Sequence, residues 1–197
     1  MGDPAMPQEN APVPGGLLQG RTALVYGAGG PVGGAVARAF AAEGAEVFLA
    51  GRTESRPVIA ATRTHFLTTR AAARHMIRQG SGVVLMFGGS GPQTLRGLGG
   101  FKIALDAMEG QRRQWALELG KSGIRVVTMV TGGIVETLPW QTEGREEIVE
   151  EITRSAHLNR TATLEDVGNV AVFIASDRAG AITDATVNIS CGAIVDY

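Results

Sequence analysis

A single cysteine, Cys191, in 197 residues excludes an internal disulfide. It fits a reducing, cytoplasmic compartment, where a buried and inert thiol is the plainer reading of a lone cysteine. Neither sign of charge prevails: 18 Lys and Arg against 19 Asp and Glu leave a net charge of −1. The chain as a whole therefore lacks the electrostatic footprint of a nucleic-acid partner. No apolar run reaches bilayer-spanning length and no secretory signal is visible, so no membrane association is expected. The three histidines, His65, His75 and His157, have no metal-ligand spacing, which leaves no metal site and makes packing or surface roles the plainer reading. Repeats and low-complexity blocks are also missing. Residues 1–16, rich in Pro, Gly, Gln and Asn, are expected to be a flexible leader, with Met6 a native start; residues 17–197 are expected to form one domain with a buried core.

Against these absences stands glycine, and its densest block has a telling position. The apolar run Thr22 to Tyr26 leads into Gly27-Ala28-Gly29-Gly30-Pro31-Val32-Gly33-Gly34 and then an Ala-rich helical pattern from Ala35 to Ala42. Strand, glycine turn and helix in that order offer backbone N–H groups and a positive helix end to a phosphate. Gly27 suits the tight turn, and Gly33 lets the helix approach the strand. Gly27, Gly29, Gly30, Val32 and Gly33 are the resulting candidates for holding a dinucleotide; an ordinary strand-to-helix turn is the alternative. The next strand, Glu46 to Ala50, follows at the interval of a βαβ unit.

Beyond Arg52 the turn Thr53–Pro57 leads to a long helical pattern, Val58 to Gln79, stopped by Gly80-Ser81-Gly82. Val83 to Phe87 reads as a buried strand. A glycine-rich loop, Gly88 to Gly100, precedes a second long helix, Phe101 to Leu119. Ile124 to Val130 is another buried strand, ended by Thr131-Gly132-Gly133, and Glu143 to His157 is a charged helix. Thr163 to Asp166 has the form of a capping box opening a helix through Ala175, and Ala185 to Ile189 reads as the last strand. Alternating strands and helices imply an α/β fold with a doubly wound parallel sheet.

The turn, read as G-x-x-x-P-x-G, resembles the G-x-x-x-G-x-G turn of the short-chain dehydrogenase/reductase superfamily, with Pro31 replacing the middle glycine and removing one N–H. The stretch Phe66 to Ala71, the phrase Glu118-Leu119-Gly120 followed by Gly123-Ile124-Arg125-Val126, and the ending Ile182 through Gly192 resemble the same family in order and spacing. From Leu17 onward the chain is identified as a member. The resemblance implies a three-layer Rossmann-like fold, an NAD(P)-dependent oxidoreductase acting on a carbonyl or alcohol, and a homodimer or homotetramer packed through its two long helices, with Phe66, Arg70, Met108 and Trp115 on the paired faces.

Two departures qualify it. Roughly two βα units are missing between Thr53 and the helix containing Phe66, including a central strand. Either the sheet closes over the gap, a partner fills it, or residues are omitted from the sequence. The catalytic set is also displaced. Counting back from Glu118-Leu119-Gly120, the family's tyrosine falls on Phe101, its lysine on Leu105, its serine on Gly89 and its helix asparagine on Ala61. A phenyl ring has no proton to give, and an isobutyl group cannot steady a phenolate or grip a ribose hydroxyl.

Substitutes are scarce. Lys102 is one residue, about 100°, around the helix from Phe101, and a solvated surface lysine is its plainer reading. Ser90 sits in a loop that could re-aim its hydroxyl, with a plain loop serine as the alternative. Thr131 and Glu136 follow a strand's carboxyl end, where ligands bind in such sheets. At the end of the second strand, Ala50-Gly51-Arg52-Thr53 offers no carboxylate to a ribose 2′-OH. Arg52 could instead pair with a 2′-phosphate, which favours NADP(H) over NAD(H). Three functions are expected to compete: an NADP(H)-type oxidoreductase with degenerate catalytic residues, a non-catalytic scaffold or subunit, and a non-redox enzyme using Ser90, Thr131 or Glu136 on a small molecule.

Overall fold

The computed structural model describes residues 15–50, 57–88 and 99–194. Within them the chain alternates as β1 (Thr22–Tyr26), α1 (Pro31–Ala42), β2 (Glu46–Ala50), α2 (Pro57–Gln79), β3 (Gly82–Phe87), α3 (Gly99–Leu119), β4 (Ile124–Thr131), α4 (Arg145–Ser155), α5 (Leu164–Ala175) and β5 (Ala185–Ile189). Helix α1 begins earlier than its alanine pattern, at Pro31 with Gly30 as N-cap. Proline has no N–H to lose at the first helical position and its fixed φ suits the entry. Helix α5 is opened by a complete capping box, in which Thr163 accepts from the Asp166 N–H and Asp166 accepts from the Thr163 N–H.

All the strands pair in parallel, but the sheet is not continuous. β1 pairs with β2, and β4 lies between β3 and β5 in a second sheet. Among the described residues the expected doubly wound sheet is thus in two pieces. One core binds the pieces: Ala23 of β1 and Val47 of β2 pack with Leu85 and Phe87 of β3 around Val36 and Phe40 of α1 and Val167 and Ala171 of α5. On the other face of the second sheet, Val84, Met86, Ile124 and Val126 meet Met108, Trp115 and Ala116 of α3. Met108 and Trp115 are therefore core residues, only 3% and 7% exposed, and not the exposed assembly surface expected of them. Leu24 and Phe48, cross-strand neighbours on the β1–β2 pair, are 56% and 51% exposed, and Leu24 shares an open cavity of about 400 Å³ with Leu67, Thr68, Ala71, Ala72 and His75 of α2.

Residues 1–14 of the expected leader lie outside the described residues. Its last position does not hang free. Gly16 accepts from the Gln19 N–H, and the Leu17 and Leu18 N–H groups both donate to Glu43, which pins this stretch beside the end of α1.

Candidate dinucleotide site

Parallel strands put all their carboxyl ends on one edge, and here that edge gathers the glycine turn, the start of α1, Gly88 and Thr131. Gly27 takes φ = 80°, a conformation costly for other residues. Its N–H donates to Ala50 O at 2.7 Å, tying the end of β1 to the end of β2, and its own carbonyl accepts from the Gly30 N–H at 3.0 Å. That carbonyl also sets the identity of Gly33: a Cβ there would stand 2.4 Å from Gly27 O. Around Gly29, by contrast, a Cβ would meet nothing within 4 Å. The turn is therefore tight on its inner side and open on its outer side. Val32 packs against the core shared by α1 and α5.

The first N–H groups of a helix have no acceptor within it, and the aligned peptide dipoles make that end positive. At α1 these groups point out of the carboxyl edge next to the open side of the turn, with Pro31 contributing none. Such a turn fits a pyrophosphate through backbone donors, with one donor fewer than a glycine at position 31 would give.

Helix α3 starts at the same edge. Its Leu105 is half-buried, and a Cβ on Gly88, the residue after β3, would lie 3.0 Å from Leu105 Cδ2. Phe101, one turn earlier, is 41% exposed. Neither can donate a proton. Lys102 Nζ donates to Asp106 at 2.8 Å along the helix surface, an i,i+4 pair that holds the ammonium on α3. Ala61 lies within α2. Gly89, Ser90, Arg52 and Thr53 lie outside the described residues.

Thr131 closes β4, half-buried and paired in register with Ile189. Glu136, three residues beyond the turn that ends β4, has a structural task. Its carboxylate accepts the Leu164 N–H at 2.5 Å and so caps the start of α5. Glu136, a candidate from its place after the carboxyl end of β4, thus has a hydrogen-bond partner at the start of α5. No sequence motif marks this contact, because the partners are 28 residues apart.

Beside the carboxyl end of β5 a cavity of about 420 Å³ is lined by His157, Arg160, Asp166, Asn188 and Cys191, among others. Cys191 is accordingly only partly buried and takes φ = 54°, unlike the enclosed thiol expected. Arg160 grips Asp166 at 2.6 and 3.3 Å. This pairing, followed by the hydrogen bond from the Thr163 N–H, lowers the Asp166 pKa to about 2. Burial on α2's packed side lowers the pKa of His65. No group of three or more His, Cys, Asp or Glu able to hold a metal ion occurs among the described residues, and none of their helices is long and apolar enough to cross a membrane.

A family model described as enoyl-(acyl carrier protein) reductase matches residues 58–193. Among curated relatives, the chain is 36% identical over 90 residues to enoyl-[acyl-carrier-protein] reductase [NADH] FabI of Haemophilus influenzae, covering 46% of this chain and 34% of that protein. It is 32% identical over 141 residues to sorbitol-6-phosphate 2-dehydrogenase of Klebsiella pneumoniae, covering 64% and 52%. The matches thus span about a third to a half of the length of these relatives. Among solved structures, a gluconate 5-dehydrogenase from Burkholderia cenocepacia in complex with NADP and tartrate superposes with a TM-score of 0.73 at 16% identity, over 89% of this chain and 96% of the other. An enoyl-(acyl-carrier-protein) reductase from Anaplasma phagocytophilum in complex with NAD superposes with a TM-score of 0.70 at 17% identity, over 93% and 97%.

Proposed function

The chain belongs to the short-chain dehydrogenase/reductase superfamily, and from that membership we propose that it is an NADP(H)-type relative of these oxidoreductases, able to hold the dinucleotide but stripped of the acid–base pair that reduces a carbonyl. The observation that carries the reading is the pairing of a glycine turn that keeps Gly27 and Gly33, with Pro31 in place of the middle glycine, and a helix α3 without the tyrosine and lysine. Gly33 leaves the close approach to Gly27 O that a side chain would block. On α3, Phe101 and Leu105 stand where the family has tyrosine and lysine.

Gly27, Gly29, Gly30, Val32 and Gly33 would hold the pyrophosphate, and Arg52 would meet the 2′-phosphate. When bound, such a dinucleotide supplies a hydride. The chain's own contribution to reduction is then the proton, and neither a phenyl ring nor an isobutyl group can give it. Lys102 is committed to Asp106 and Glu136 to the start of α5. A non-redox enzyme using Ser90, Thr131 or Glu136 stays a further alternative. A non-catalytic subunit that still binds the nucleotide is the second reading, favoured by the same two residues of α3. A small-molecule carbonyl or alcohol remains the substrate class for any residual turnover.

Fluorescence titration tests the binding half directly. NADPH should bind more tightly than NADH, and Arg52→Ala should remove most of the difference. Equal affinities in the parent protein would refute the assignment of Arg52. The homodimer or homotetramer implied by the family would draw on the uncharged strip of α3, where Ile103 and Leu117 are 70% and 76% exposed. A monomer in sedimentation at micromolar concentration would refute that part.

A further inference from the structure

Trp140 and Arg145 form a pair on the segment that leaves β4 and enters α4. The indole is 82% exposed, and Arg145 Cζ lies 4.4 Å from its ring centroid, within cation–π range. Arg145 itself is half-buried, and its Nε is buried without a hydrogen-bond partner. Among the described residues the guanidinium meets no carboxylate either, although Glu143, Glu146 and Glu147 are close in sequence. Helical spacing explains this. An arginine is paired along a helix from three or four positions away, where α4 offers Ile148 and Val149, whereas Arg154 finds Glu150 at four. The three glutamates near Arg145 stay exposed to solvent.

The same spacing aims the pair. Arg145, Ile148 and Ile152 recur at three and four residues and so share one stripe of α4. Ile152 presses that stripe onto Gly133, where a Cβ would stand 2.3 Å from Ile152 Cγ2. Gly133 is two residues past β4, on the carboxyl edge that also holds the glycine turn, and Arg145 sits nearly two helical turns, about 10 Å, from that contact. An arginine stacked through its face on an indole keeps its N–H edge for a planar acceptor, and a buried Nε–H without one is unfavourable. We propose that Arg145, held by Trp140, binds the carboxylate of an oxo-acid substrate or of the corresponding hydroxy acid. That such an acid is a substrate rests on the reading of this edge as the site of a dinucleotide and a carbonyl compound; that it binds rests on the pair itself. Glu143, Glu146 and Glu147 favour a singly charged carboxylate over a phosphate dianion, which they repel more strongly.

The test uses the full chain without nucleotide, titrated with levulinate, its neutral methyl ester and inorganic phosphate by calorimetry and by tryptophan fluorescence. Trp140 is the exposed reporter, since Trp115, the other tryptophan, is in the core. Saturable binding of levulinate with quenching is expected, and the ester should bind about tenfold more weakly or not at all. Arg145→Gln should weaken levulinate binding by about tenfold or more, and Arg145→Lys, which keeps the charge but not the planar fork, severalfold, with melting temperatures within a few degrees of the parent. Trp140→Phe should remove the quenching and lower the calorimetric affinity by a smaller factor. If Arg145→Gln does not fold, Arg145→Lys decides. Absence of saturable levulinate binding, equal binding of the ester, tighter binding of phosphate, or parent affinity in the arginine variants would overturn the proposal. A failed NADPH titration would instead overturn the dinucleotide reading, since no nucleotide takes part here.

Discussion

Leu105 lies against Gly88 at the carboxyl end of β3, so close that a Cβ on the glycine would stand 3.0 Å from Leu105 Cδ2. An apolar side chain therefore packs at the edge where hydride chemistry in this fold needs a cation and a proton donor. Leucine fills this position by van der Waals contact, which a lysine could supply only with its stem. On the proposed reading, packing occupies the position at which the family resemblance expects a lysine.

Glycine geometry at the turn provides a matched pair of variants. Gly33→Ala should force α1 away from Gly27 O, destabilise the protein by about 1–3 kcal/mol and abolish NADPH binding, because its Cβ would have 2.4 Å where backbone cannot yield cheaply. Gly29→Ala, with open space around it, should melt with the parent. Urea denaturation of both variants checks the prediction, and equal stability would contradict it.

Arg112 is a second strong point. It is buried with Glu109, to which it donates at 2.9 Å, and also pairs with Asp184 at the start of β5. Arg112→Met should cost about 3–5 kcal/mol by leaving Glu109 buried without its cation. Glu109→Gln in the same background should recover part of the loss. Denaturant midpoints decide, and a near-neutral Arg112→Met would show that the carboxylate finds water.

Acid stability should carry the mark of α5. The Asp166 pKa, depressed to about 2 mainly by Arg160, means that the folded state holds this proton less readily than the unfolded chain does. The contribution is therefore complete above the ordinary carboxylate pKa near 4 and is lost as pH falls toward 2. Asp166→Asn should flatten stability across that window and leave it unaltered in shape above pH 5. Thr163→Ala, which removes the other half of the capping box, should cost about 1 kcal/mol at neutral pH. Thermal melts from pH 2 to 7 measure both effects.

Much of this fold was legible because it rests on local rules. β4 reads as buried from its valine-rich apolar pattern, interrupted only by Arg125 and Thr128 before the closing Thr131, and α5 from Thr163 and Asp166 three residues apart. The alanine pattern marks α1 only from Ala35, four residues after its start at Pro31, because Gly33 and Gly34 carry no apolar periodicity. Long-range facts were not legible. The break between β1–β2 and β3–β5 reflects a strand that the described residues do not supply between them, and Leu24 and Phe48 stay exposed although their sequence pattern is that of buried strand. The engagement of Glu136 with Leu164 and of Arg112 with Asp184 joins residues 28 and 72 apart, beyond any spacing rule. Met108 and Trp115 were misplaced for a related reason: periodicity identifies an apolar face on α3 but not whether a sheet or a second subunit covers it.

The most direct measurement is the initial rate of NADPH-dependent reduction across a panel of aldehydes and ketones, at a cofactor concentration that saturates binding. Loss of the proton donor typically lowers such rates by about 10²–10⁴-fold, so the unmodified protein should bind NADPH yet reduce the panel barely above background. Phe101→Tyr with Leu105→Lys restores an acid and its cation and should raise the rate only where the rest of the cofactor pocket is whole. Robust turnover by the unmodified protein, reproduced after a second purification, would show that another group such as Ser90 or Lys102 delivers the proton and would contradict the account.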